Sequence, residues 1–208
     1  MIVTDIVEYS KSKYKIFIDG EFAFVLYKGE LRQFKIKKDE ELGRDVYDEI
    51  NNVVLVKRCK LRAMHLLEKR PYTEYVMRSK LKESMYSDEI IDVSIDYLKG
   101  FKYIDDYSYC VQYIETYSTN KSVKRLKQDL MQKGVKAAII DEAVDNCRDN
   151  DELGDEGAMI QSILRKRGFG QGGMTQKEIA KTYNYLMNKG FAFDIIKYEM
   201  RHYIDEED

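Results

Sequence analysis

One apolar template is written three times along this chain, and that repetition narrows the possible folds more than any single motif. Residues 121–144 read KSVKRLKQDLMQKGVKAAIIDEAV: Val123, Leu126 and Leu130 form one helical face, Lys133-Gly134 stops it, and Ile140, Val144 and Cys147 form a second stripe. Aligned on the last leucine before the break, Leu81, Leu130 and Leu186 are each followed ten residues later by Ile91, Ile140 and Ile196. The trailing stripes are Ile91/Ile95/Leu98, Ile140/Val144/Cys147 and Ile196/Met200/Tyr203, at intervals of 49 and 56 residues. A tandem helical repeat leaves this trace, because each unit must bury its stripe against a neighbour.

At 208 residues the chain is long enough for one large domain, two modest ones or an extended array. With 44% hydrophobic residues spread throughout, it should fold rather than remain disordered. A single proline, Pro71, fits a mostly helical body with turns made by Gly, Asn and Asp. Three widely spaced cysteines make neither a disulfide framework nor a zinc cluster, and Cys110 and Cys147 fall on apolar faces, so free buried thiols in a reducing cytoplasm are expected. No apolar run approaches a membrane span, and the first residues lack the apolar centre of a signal peptide. The formal charge of −2 hides a strong polarity. Residues 57–82 hold nine basic and two acidic residues, whereas residues 141–156 hold eight acidic and one basic.

Residues 1–36 follow a different period. Ile2/Thr4/Ile6, Tyr14/Ile16/Ile18 and Phe22/Phe24/Leu26 alternate, and Asp19-Gly20 is a hairpin signal, which predicts a small antiparallel meander packed on a helix over 39–50. Asn51-Asn52 is the expected boundary. From Val53 onward the period is helical, predicting helices near 53–69, 73–84 and 88–99, then 106–118, 122–133 and 137–148, then 155–167, 176–189 and 193–204. Thr73 is a candidate N-cap, and Thr175 with Glu178 a capping box. The expected architecture is a mainly α chain: a β-meander with a helix over 1–52, three-helix repeats over 53–104, 105–150 and 151–208, the last with an acidic tail, forming an elongated curved array.

The glycine-rich stretch 168–173 lacks the preceding strand and the Lys-Ser/Thr of a phosphate cradle, so a mobile link between helices is the expected role. His65 and His202 lie far apart, and His65 beside Leu66-Leu67 reads as structural. Asp105-Asp106 and Asp141-Glu142 lack a third ligand at metal-like spacing, and no nucleophile stands with a base; no enzyme, metal or cofactor is expected. The basic residues carry more. Lys121, Lys124, Arg125 and Lys127 gather opposite Leu126 and Leu130; Arg78, Lys80 and Lys82 occupy the equivalent helix of the first repeat, and Lys177 and Lys181 that of the third. With Arg58, Arg62 and Arg70 they would form a stripe suited to a regularly spaced acidic partner, such as a nucleic-acid backbone or a filament.

The stretch Tyr97-Leu98-Lys99-Gly100-Phe101-Lys102-Tyr103-Ile104-Asp105-Asp106-Tyr107-Ser108-Tyr109-Cys110 resembles a signature of the RecX family of bacterial recombination regulators. Arg125-Leu126, then Leu130 and Lys133-Gly134-Val135, are similar to that family's central run, and Tyr185 to Phe191 followed by Asp194-Ile195-Ile196 to its last repeat. The β-containing leader resembles an N-terminal extension of some members, while Val76 and Met77 depart from the pattern, which has an acid and a leucine there. The resemblance implies a non-enzymatic cytoplasmic monomer that binds the RecA filament along its groove. It would meet DNA directly or through the filament, and limit ATP hydrolysis, strand exchange and co-protease activity in DNA repair. A stand-alone helical nucleic-acid-binding module, and a helical scaffold for some other protein, are the alternatives.

Overall fold

The computed structural model describes residues 1–170 and 174–204, the last three by backbone alone. The chain divides into two compact units, Met1–Asp105 and Asp106–Asp208.

In the first unit, strands β1 (Val3–Ser10), β2 (Lys13–Ile18) and β3 (Glu21–Tyr27) form an antiparallel sheet in the order β1-β2-β3. Asp19 and Gly20 both take positive φ, 51° and 90°, the twist a two-residue hairpin needs. The phase of β1 differs from expectation: Val3 is buried and Ile2 is exposed, because a register shift between Val3 and Asp5 lets the next turn of the pleat bring Ile6 back toward the core. Phe22 also faces outward, against the edge of Phe17, while Phe24 and Leu26 are buried.

A short helix α1 (Lys28–Gln33) follows, opened by the Glu30 carboxylate accepting the Tyr27 N–H at 2.7 Å. The helix expected over 39–50 starts only at Arg44. The charged run before it has no apolar stripe to bury and instead lies along β1, with Val3 N–H donating to the Glu40 carbonyl and Asp39 N–H to that of Val3. From there α2 (Arg44–Glu49), a π-helical turn (Ile50–Leu55) and α3 (Val56–Leu67) run on as one continuous helix. Asn51-Asn52 is therefore not a break. The wider turn absorbs it, and the Asn51 amide donates to the Tyr47 carbonyl at 2.9 Å.

Helices α4 (Glu74–Glu83) and α5 (Asp88–Gly100) complete the first repeat. The second comprises α6 (Asp106–Tyr117), α7 (Val123–Gln132) and α8 (Ala137–Asp149), and the third α9 (Glu156–Lys166), α10 (Gln176–Asn188) and α11 (Phe193–Ile204). In each repeat the first and third helices pack most closely. Thr73 caps α4 by accepting the Val76 N–H, and Thr175 with Glu178 forms the capping box on α10.

The leucine on which the three copies align has a defined job. Leu81, Leu130 and Leu186 are buried, and each carbonyl accepts the N–H five residues on, from Tyr86, Val135 and Phe191, closing the helix in a Schellman motif. The left-handed position of that motif is Gly134 (φ 78°) and Gly190 (φ 92°) in the second and third repeats, but Met85 (φ 64°) in the first. The trailing stripes are buried as far as Met200; the side chain of Tyr203 lies outside the described residues. Cys59, Cys110 and Cys147 are buried thiols, and burial pushes that of Cys147 up to about 11.

Candidate functional site

The repeat places the basic residues on helices whose opposite faces are buried, but their charges meet different fates. In the first repeat, Arg58 turns inward. It pairs with Glu30 at 2.9 Å, donates to the Val25 carbonyl at 2.6 Å and lies over the Tyr27 ring, joining α3 to β3. Arg70 stacks on Tyr72. Arg78 bridges Glu74 on its own helix to Asp92 on α5, and Glu74 also accepts from Lys99 at 2.7 Å. Burial pushes the Glu74 carboxyl up, but the Lys99 and Arg78 hydrogen bonds outweigh it and hold it below the usual range. Lys80 and Lys82 pair with Glu83 and Asp88, while Arg62 is exposed.

In the second repeat the four basic residues do not all point the same way. Lys124 and Arg125 are exposed opposite Leu126 and Leu130, and Lys127 reaches Asp141 on α8 at 2.6 Å. Lys121 turns back onto Asp129 at 2.8 Å, in a cluster where Tyr113 and Arg125 also reach that carboxylate. Lys121 also sits over the Tyr113 and Tyr117 rings. Burial pushes the Asp129 carboxyl up, yet the bonds from Lys121 and Tyr113 and the charges of Lys121 and Arg125 leave it below its ordinary value. Burial lowers the Lys121 ammonium, but its hydrogen bonds to Asp129 and Tyr113 outweigh that and hold it above its ordinary value. Sequence spacing did not single out Asp129. The signal was an acid next to Leu130 on the buried side of α7, one turn from Arg125.

In the third repeat Lys177 and Lys181 are exposed on α10. Exposed pairs such as Lys82–Asp88 are weak in water and can exchange for a phosphate or a partner carboxylate, whereas Arg58 and Lys121 are committed to the fold. Exposed and outside the buried pairs are Arg62 and Lys82 in the first unit, and Lys124, Lys177 and Lys181 in the second.

His65 is exposed, 3.3 Å from Glu68. Among the described residues no group of His, Cys, Asp or Glu is placed to hold a metal ion, and no helix is long and apolar enough to cross a membrane. In the glycine-rich stretch 168–173, where a mobile link is expected, Gly168 takes a left-handed φ of 65° and Phe169 is buried; 171–173 lie outside the described residues.

Two family models match within the repeats: RecX, first three-helix domain, over residues 59–98, and RecX, second three-helix domain, over residues 105–144. The regulatory protein RecX of Caldanaerobacter subterraneus subsp. tengcongensis is 28% identical over 199 residues, covering 95% of this chain and 97% of its own. That of Clostridioides difficile is 28% identical over 201 residues, 94% and 92% of the two chains. A crystal structure of regulatory protein RecX matches with a TM-score of 0.61 at 25% identity, covering 94% of this chain and 98% of the other. RecX from Lactobacillus salivarius matches in fold, with a TM-score of 0.59 at 21% identity over 72% of this chain and 97% of its own.

Proposed function

The chain belongs to the RecX family, and from that premise we propose that it is a non-catalytic cytoplasmic regulator that binds the RecA nucleoprotein filament and limits its activity. The observation that carries this reading is the coincidence of two RecX domain matches with two three-helix repeats, in relatives named as regulatory proteins along nearly the whole chain. Charge supports it. Exposed cations recur on the middle helix of each repeat, at Lys82, at Lys124, and at Lys177 and Lys181. Several modest contacts made together give a chain of repeats more affinity for a periodic partner than any one contact supplies. The filament's DNA and acidic protein surface are the natural counterparts of these cations, and the acidic stretch 141–156 is available to basic protein.

The test is the DNA-stimulated ATPase of RecA titrated with this protein as a monomer. Inhibition at or below stoichiometric amounts is expected, and weakened inhibition on combining Lys124→Glu with Lys177→Glu and Lys181→Glu. An unchanged ATPase across that range would remove the reading. The exposed cations also admit a second reading, a stand-alone nucleic-acid-binding module. It requires tight DNA binding without RecA that falls steeply with salt.

A further inference from the structure

A groove of about 530 Å³ opens in the first unit between the β2–β3 hairpin, α3 and the turn joining α4 to α5. Lys13, Arg58 and Arg62 line it, together with Tyr27, Leu61 and Met85. Its lining carboxylate, Glu83, is already engaged by Lys80 at 2.9 Å, so the groove is electropositive. Leu61 is 57% exposed, an apolar side chain standing beside exposed Arg62.

Three features restrict what can sit there. The outer edge of β3 is closed to an added strand, because Arg58 donates to the Val25 carbonyl and Glu30 accepts the Tyr27 N–H. The aromatic faces are occupied by cations, with Arg58 at 4.9 Å and Lys13 at 5.3 Å from the Tyr27 ring centre and Lys15 at 5.0 Å from that of Tyr9, which leaves little open ring for a nucleic-acid base. Third, Met85 holds a left-handed backbone where the other repeats use Gly134 and Gly190. A side chain kept at that conformational cost, on the wall of a groove, points to a use for the side chain.

We propose that this groove binds an acidic peptide segment of a partner protein, its carboxylates at Lys13 and Arg62 and one apolar side chain against Leu61 and Met85. The site stands apart from the RecA reading: either can fail with the other intact, since one is scored by peptide binding and the other by ATPase.

The probe is a phage-displayed random peptide library selected on the full chain, followed by fluorescence anisotropy with the enriched peptides. Enrichment of acidic residues flanking an aliphatic or aromatic one is expected, with binding at least about tenfold weaker to the Lys13→Glu/Arg62→Glu protein. Met85→Gly separates binding from folding: it should raise the unfolding temperature while weakening the peptide. A library without an acidic consensus would overturn the proposal, as would full affinity in the charge-reversed protein or in Met85→Gly. So would loss of labelled oligothymidylate binding, in place of peptide binding, on the same substitutions.

Discussion

In the first unit, sheet and helices share their buried side chains: Phe24 and Leu26 from β3 lie in one apolar cluster with Leu81 and Ile95 from the first repeat. The second and third repeats keep separate clusters, one around Leu130 and Val144, the other around Leu164 and Leu186. Directed polar contacts hold those two together. Ser122 caps α7 by accepting the Arg125 N–H and donates to the Lys189 carbonyl, and the Glu156 carboxylate accepts the Val123 N–H at 2.7 Å. Gly154 lies against the Ser118 carbonyl and Gly190 against the Ser122 hydroxyl, so close that a Cβ would stand 2.2 Å and 2.7 Å away. A repeat that cannot stand alone is thus completed in two ways. Apolar area is non-directional and tolerant of repacking; a seam of hydrogen bonds and close backbone contacts fixes geometry and tolerates little.

The largest effect should come from breaking the shared core. Phe24→Ala is expected to cost about 4 kcal/mol and, although it lies in the sheet, to lower hydrogen-exchange protection in α3 to α5 as well. Leu164→Ala provides the contrast, exposing α9 to α11 to exchange while α6 to α8 keep most of their protection. Next, Gly154→Ala should cost about 2 to 3 kcal/mol by pushing the loop off Ser118, read as a lower denaturant midpoint with unchanged slope.

Asp129→Asn should cost about 2 kcal/mol by removing the charge that Lys121 and Arg125 share. Because the folded Asp129 carboxyl lies below its ordinary value, its contribution is complete above the unfolded value near pH 4 and is lost as pH falls through the folded one. Lys121, held above its ordinary value, contributes fully below about pH 10 and loses that contribution as pH rises through the folded value. The difference in unfolding temperature between wild type and Asp129→Asn should therefore be flat across neutral pH and close in acid. Smallest is Ser122→Ala, about 1 kcal/mol for the lost cap, with loosened exchange where α7 meets α10.

The helices were legible because stripes such as Ile140/Val144/Cys147 follow the helical period and are buried. Thr73, Thr175 and Asp19-Gly20 were legible because local chemistry suffices for a cap or a turn. The start of α2 was not, since the acids at 39–41 satisfy a helix dipole and an exposed edge equally well. Nor could spacing tell that Arg58 and Lys121 would turn inward, because their acceptors Glu30 and Asp129 lie on other turns and elements. The groove draws residues from Tyr9 to Ile90, and no local pattern joins them.

The π-helical turn Ile50–Leu55 has a consequence for how this chain aligns with its relatives. Buried positions step from Ile50 to Leu55 across five residues, then to Cys59 and Ala63 by four, so the widened turn takes in one surplus amino acid without rotating either end out of phase. A deletion of Asn52 should leave both buried stripes in place, whereas the same deletion one turn into α3 would swing Cys59 or Ala63 into water. Homologues lacking the surplus residue should carry their one-position gap at this turn.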